Sequence, residues 1–342
     1  MASHRRSPSS SSSVLSRSAK ATVLSAAAVT AAAFGATPSS ADPGTERRTA
    51  RAEVDRLYAQ AEQATEGFNK ADERAGVLRE QVSQVQDGVA RGQERINRMR
   101  GALGAVAGAQ YRSGGMDPAL ALLLSEDPDT YLDKAAALDR ISERQATALT
   151  ELRRAQRDLA QQRAEAGRLL AELERSRAAV ALHKRTVERK LAAARALLNS
   201  LPAEERDAFG RASRSGRDDP LPGGEAVSGR AAAAVAAARS ALGKPYVWGA
   251  NGPSGFDCSG LMQWSYAQAG VGLPRTSQAQ RHAGRHVPLS EARPGDLVTY
   301  RDDASHVGMY VGDGQVVHAP YPGASVRYDP VGMMPVNAVT RV

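Results

Sequence analysis

The sequence predicts an all-α coiled-coil hairpin followed by a compact α+β domain. Three observations carry this. Two apolar columns with a seven-residue step run through the first third of the 342-residue chain. Both tryptophans, Trp248 and Trp264, and most of the tyrosines lie beyond residue 240. The single cysteine, Cys258, opens a helical pattern that is followed by two strand-like runs, each holding a histidine. Aromatic residues make up 4% of the chain, too few for one large core, so a long helical region and one small globular domain share the length.

The first 41 residues read as an export signal. Arg5, Arg6, Arg17 and Lys20 precede or border a small apolar run, Ala21 to Ala36, and Ser39-Ser40-Ala41 has the small-x-small form of a cleavage site. The run is short and alanine-rich for a permanent membrane span. These four cations, with no acid among them, account for half of the formal charge of +8. The remaining charge is mixed in sign, so a nucleic-acid partner is not expected, and loose attraction to anionic wall polymers is what the excess allows. One cysteine cannot form an internal disulfide, so an exported chain that keeps Cys258 keeps it for another purpose.

Residues 46–201 are expected to form the hairpin. Val54, Ala61, Phe68, Ala75, Val82, Val89, Ile96 and Leu103 make one column, and Leu57, Ala64, Ala71, Leu78, Val85, Gly92, Met99 and Val106 make the second. A weaker seam follows at Leu152, Leu159, Ala166, Leu173, Val180, Val187, Ala194 and Leu201, where the companion column includes Arg163, Arg177 and Lys184. A short helical insert is expected near 113–139, at the tip, after Ser113-Gly114-Gly115. Glycines recur along the first arm, each costing about 1 kcal/mol against alanine, which suits close packing or a bend. A rigid spacer and a regulatory arm both fit, as do pairing within one chain and between two. Pro202, Gly216, Pro220, Pro222, Gly223 and Gly224 mark a flexible linker over 202–226.

The compact domain is expected over 227–342. Asp257 is a good N-cap, which puts Cys258 in the first turn of a helix. Backbone N–H groups and the helix dipole there favour a thiolate and lower its pKa, and the same groups suit a developing oxyanion. Of six histidines, His4 lies in the signal and His183 in the coiled coil, while His282 and His286 read as solvated loop residues. His306 and His318 remain, on runs separated by the hairpin signal Gly312-Asp313-Gly314-Gln315. For both rings to share a face, the turn must have an odd loop or a bulge with glycine at positive φ, which sets Gly308 opposite His318.

Residues 227–342 resemble the NlpC family of peptidoglycan endopeptidases. The resemblance is carried by Tyr246-Val247-Trp248-Gly249, Asp257-Cys258-Ser259-Gly260, Leu273-Pro274-Arg275-Thr276-Ser277, Arg293-Pro294-Gly295-Asp296-Leu297-Val298, Ser305-His306-Val307-Gly308-Met309-Tyr310 and Val317-His318-Ala319, in that order. It implies a papain-like domain with an antiparallel sheet packed on the cysteine-bearing helix. It implies Cys258 as nucleophile, His306 as general base and His318 as the residue that orients the base. Tyr246 is implied beside the thiol, with Asp257, Ser259, Arg275 and Ser277 along the substrate groove. The reaction implied is hydrolysis of peptidoglycan stem peptides at the γ-D-glutamyl–diamino acid bond, outside the cell, with no metal or cofactor. An amidase or acyltransferase on the same fold and a non-catalytic scaffold are the competing readings. The helical region is similar to the coiled-coil hairpins of division-associated wall hydrolases, which implies restraint of the enzyme or docking on a membrane transporter-like complex.

Overall fold

Two long arms follow from the heptads. The computed structural model describes residues 43–112, 114, 118–124, 130–206 and 228–342. Helix α1 is Pro43–Arg112, α2 is Pro118–Leu123 at the turn, and α3 is Tyr131–Ser200. Each long helix has 70 residues, about 105 Å at 1.5 Å per residue. Helix α3 begins at Tyr131, inside the stretch expected to hold the insert; the run from Tyr131 to Leu138 holds no glycine or proline to stop it. The expected export segment, 1–41, and most of the expected linker lie outside the described residues. Among the described residues no helix is long and apolar enough to cross a membrane.

The arms pack antiparallel. Ser176 Oγ donates to Ala71 O at 2.8 Å, and Arg163 donates to Gln93 Oε1 at 2.7 Å. The seam is the one the heptads define: Ala75, Leu78, Val82 and Ile96 on α1, Leu159, Leu173, Val187 and Ala194 on α3, all buried. Gly67 is a point of close approach, since a Cβ there would sit 2.6 Å from the His183 ring of α3.

From Arg47 to Val342 the chain is one compact unit. The C-terminal part adds helices α4 (Gly229–Ser240), α5 (Cys258–Gln268) and α6 (Ser277–Gln280). Its strands are β1 (Arg285–Val287), β2 (Leu297–Tyr300), β3 (His306–Gly312), β4 (Gln315–His318), β5 (Arg327–Pro330) and β6 (Val336–Arg341). They form one antiparallel sheet in the order β1-β6-β2-β3-β4-β5. Helix α5 lies on this sheet through Leu261, Met262 and Tyr266, against Leu297, Val307, Met309 and Val317. Tyr266 anchors the layer by donating its hydroxyl to Gly295 O at 2.6 Å. Full burial of a leucine- or methionine-sized side chain contributes about 1.5–3 kcal/mol, so this layer holds α5 firmly.

The β3–β4 hairpin has the required bulge. Met309 pairs with Val317 and Tyr310 with Val316, then the register shifts and Gly312 pairs with Gln315. Gly312 and Gly314 have φ of 104° and 69°. Continuing inward sets Gly308 against His318, where a Cβ on Gly308 would lie 3.3 Å from that of His318. His306 and His318 therefore share a face. His286 departs from expectation: it lies on β1, paired with β6 at the sheet edge, although it is exposed as expected.

Leu78→Ala removes a fully buried side chain from the seam. We expect a loss of about 2–5 kcal/mol. Urea unfolding followed by far-ultraviolet circular dichroism, where the two arms dominate the signal, measures it.

Candidate active site

Asp257 builds the nucleophile's helix. It caps α5 by accepting from Gly260 N at 2.7 Å, and its other oxygen accepts from Gly249 N at 2.9 Å. Arg275 pairs with both oxygens, at 3.0 and 2.6 Å, and also reaches Ser259 Oγ at 3.0 Å. Cys258 is thereby fixed at the first position of α5, fully buried.

Behind the thiol runs a line of polar groups. His318 Nε2 lies 2.8 Å from Asp329 Oδ2, and Arg327 Nε donates to the same oxygen at 2.7 Å. A carboxylate only accepts, so His318 carries its proton on Nε2 and leaves Nδ1 bare. Burial pushes the His318 pKa down to about 4, against the pull of Asp329, so the ring is neutral. Its bare Nδ1 lies 2.7 Å from His306 Nε2 and accepts the proton there. By elimination, His306 Nδ1 is the nitrogen left to act as a base. The His318 and Arg327 contacts hold Asp329 below the usual carboxylate range, against the effect of its burial.

That nitrogen is occupied by a residue from α1. Glu62 Oε1 shares a proton with His306 Nδ1, while Oε2 accepts from Arg301 at 2.6 Å. Burial alone would raise the Glu62 pKa, but His306 and Arg301 outweigh it and hold the carboxyl below its ordinary value. One turn on, Glu66 accepts from Ser259 Oγ at 2.7 Å and Ser277 N at 2.8 Å. Cys258 Sγ lies 3.7 Å from Glu66 Oε1 and 4.0 Å from Ser305 O. Asn69 donates to Asp257 Oδ2 at 3.0 Å. Phe68, expected in the seam, meets Trp248 edge-on at 5.1 Å, and Tyr58 stacks on Tyr321 at 4.7 Å.

The thiol does not behave as its helix position suggested. Burial, then the carboxylates of Glu66, Glu62 and Asp257, push the Cys258 pKa well above normal, and the donor at Val307 N does not offset them. The dipole of one helix end is worth about 0.3–1 kcal/mol, less than the desolvation of a thiolate against carboxylates. With α1 seated, the thiol is protonated. Glu66 is itself raised to about 8, by burial first and then by Asp257. It therefore sits as a neutral acid at pH 7, whereas Glu62 sits as a charged one.

All eight residues read from the sequence converge. Cys258, His306 and His318 lie in line; Asp257, Ser259, Arg275 and Ser277 form the wall that Glu66 and Asn69 touch. Burial first, then Cys258 and the nearby acids, push the Tyr246 pKa well above normal, and its hydroxyl has no hydrogen-bond partner among the described residues. Sequence reasoning missed Glu62, Glu66, Asn69, Arg301 and Asp329. The one available signal was the spacing Glu62-Thr65-Glu66-Asn69, a polar stripe off the heptad columns, and acids on a helix surface are ordinary.

A thiol at a helix start, backed by imidazoles on an antiparallel sheet, defines a papain-like cysteine hydrolase domain. Residues 243–339, within the C-terminal domain, match the model of the NlpC/P60 family. Among relatives, a "probable endopeptidase" of Mycobacterium bovis is 48% identical over 107 residues, covering 31% of this chain and 28% of that protein. One from Corynebacterium glutamicum is 45% identical over 109 residues, covering 32% and 52%. The solved structure of the peptidoglycan hydrolase RipB from Mycobacterium tuberculosis is 36% identical, covers 33% of this chain and 64% of that one, and superposes with a TM-score of 0.31. The chain thus spans about half or less of the length of these curated relatives.

Neutralising the two glutamates should have unequal effects. Glu62→Gln removes a charge that Arg301 and His306 hold, so α1 should loosen and Cys258 should react with iodoacetamide at least tenfold faster than in the parent. Glu66→Gln replaces an already neutral group and should change that rate less than threefold. Mass spectrometry of the alkylated chain gives both rates.

Proposed function

We propose that this protein is a secreted cell-wall endopeptidase that cleaves peptidoglycan stem peptides, at the γ-D-glutamyl–diamino acid bond, and that α1 holds it inactive. The observation that carries the reading is the line Cys258, His306, His318, Asp329, with its only basic nitrogen capped by a carboxylate from outside the domain. In the released enzyme, His306 Nδ1 takes the proton of Cys258, and the thiolate attacks the peptide carbonyl. The backbone N–H groups at the start of α5 receive the oxyanion, with Tyr246 beside them. His306 then protonates the leaving amine, and water hydrolyses the thioester. His318 and Asp329 hold the base in the required tautomer and are positioning residues. Asp257, Ser259, Arg275 and Ser277 bind the stem peptide, which bears carboxylates; Glu66 occupies this place in the restrained chain.

The restraint is steric and electrostatic together. Glu62, Thr65, Glu66 and Asn69 are each at most 3% exposed, so substrate cannot enter while they are seated. Release requires α1 to move. The far end of the hairpin leaves Leu120, Leu123, Leu124 and Leu132 exposed, and there we place docking on a membrane transporter-like division complex.

The test compares the full chain with a Glu62→Ala/Glu66→Ala/Asn69→Ala variant on purified muropeptides, with products identified by mass spectrometry. The variant should cut after γ-D-glutamate at least tenfold faster than the full chain, and adding Cys258→Ala should abolish the products. Release of whole stems would make the protein an amidase, and no product from either chain would overturn the enzyme reading. In the active variant, Asp329→Asn should lower kcat about 10-fold or more and shift the acidic limb of the pH–rate profile, because an amide no longer fixes the His318 proton. Loss of activity with an unmoved profile would reduce Asp329 to a structural role.

A further inference from the structure

The restraint places three different donors around one point. Glu62 offers a carboxylate oxygen, Cys258 its Sγ and His306 its Nδ1, and these atoms lie within 4.8 Å of one another. All three side chains are buried, at 3%, 0% and 0% exposure. A thiolate, an imidazole and a carboxylate together suit zinc, which binds sulfur at about 2.3 Å and nitrogen or oxygen at about 2.0–2.2 Å. Their neighbours suit it as well. The far nitrogen of His306 is engaged by His318, and the second oxygen of Glu62 by Arg301, as the outer partners of metal ligands usually are. Two more groups face the point. Glu66 Oε1 is 3.7 Å from Cys258 Sγ, close to the roughly 3.5 Å that the bond lengths give for two ligands of one tetrahedral ion. The Tyr246 hydroxyl is buried and has no hydrogen-bond partner among the described residues. A cavity of about 510 Å³, lined by Tyr58, Glu62, Arg301 and His318 among others, reaches Glu62, one of the three donors.

We propose that Glu62, Cys258 and His306 form a zinc-type divalent metal site that is complete only while α1 is seated, so that the ion locks the restrained enzyme. This rests on the reading of α1 as a restraint. The ion displaces two protons, one from the Cys258 thiol and one shared between Glu62 and His306. It adds no chemistry to peptide hydrolysis, since it occupies both the nucleophile and the base. When α1 leaves, the site falls to two protein ligands and loses affinity. By linkage, the ion strengthens the seating of α1 by the same factor.

The probe is Co²⁺ alone, titrated into chelator-treated full chain, with Zn²⁺ as competitor. One equivalent should bind with a thiolate-to-metal charge-transfer band in the near ultraviolet, displaced by Zn²⁺ and absent in Cys258→Ala. Glu62→Gln should weaken binding at least tenfold. Asn69→Ala, which removes one α1 contact but no donor, should lose less affinity than Glu62→Gln, and circular dichroism checks that each variant is folded. Equal binding by the parent and Glu62→Gln would overturn the proposal, since the ion would then sit on cysteine and histidine without the arm. An equal loss in Glu62→Gln and Asn69→Ala would overturn it too, as would no thiolate band at millimolar Co²⁺. Muropeptide cleavage by the triple arm variant is measured separately, so failure of the metal site leaves the endopeptidase reading standing or falling on its own result.

Discussion

Asp257 joins three parts of the molecule through two oxygen atoms. One end of its chemistry is local: it caps α5 and so aims the first turn, with Cys258, into the site. Another is within the domain: Arg275 bridges both oxygens and is held over the groove wall. The third crosses to α1, where Asn69 donates to it. A fully buried carboxylate is costly unless paired and saturated with donors. Gly249, Gly260, Arg275 and Asn69 supply them, and each is thereby tied to the helix that carries Cys258.

The same rule bears on the proposed restraint. A helix that blocks a groove with apolar side chains would leave the polar groups of the site unsatisfied. Glu62, Glu66 and Asn69 instead satisfy polar groups of the site: His306 Nδ1, Ser259 Oγ, the Ser277 N–H and Asp257. The apolar contacts lie around them, at Phe68 with Trp248 and Tyr58 with Tyr321. In the proposed restraint, seating α1 and activating the thiol exclude each other, because burial under α1 and the charge of Glu62 keep the proton on Cys258.

Burial sets the charge of each group more than its local sequence does. Cys258 stands where a helix dipole favours a thiolate, yet its pKa is raised, because three carboxylates and a dry surrounding oppose the dipole. Two glutamates four residues apart on one helix differ in the same way: Glu62 faces Arg301 and His306 and is charged, while Glu66 faces Asp257 and is neutral.

The heptads determined the two arms, because a seven-residue apolar step has one stable solution, helices packed along that stripe. The position of Cys258 in the first turn followed from Asp257, and a shared face for His306 and His318 required a bulge at the glycine turn, which the β3–β4 hairpin has. Each is a local constraint, readable from neighbours in the chain. Glu62 lies 244 residues from His306, and no periodicity or spacing connects them. Its burial, the pairing of Asp329 with His318, and the direction of the Cys258 shift depend on which surfaces meet in space, and only the tertiary structure decides that.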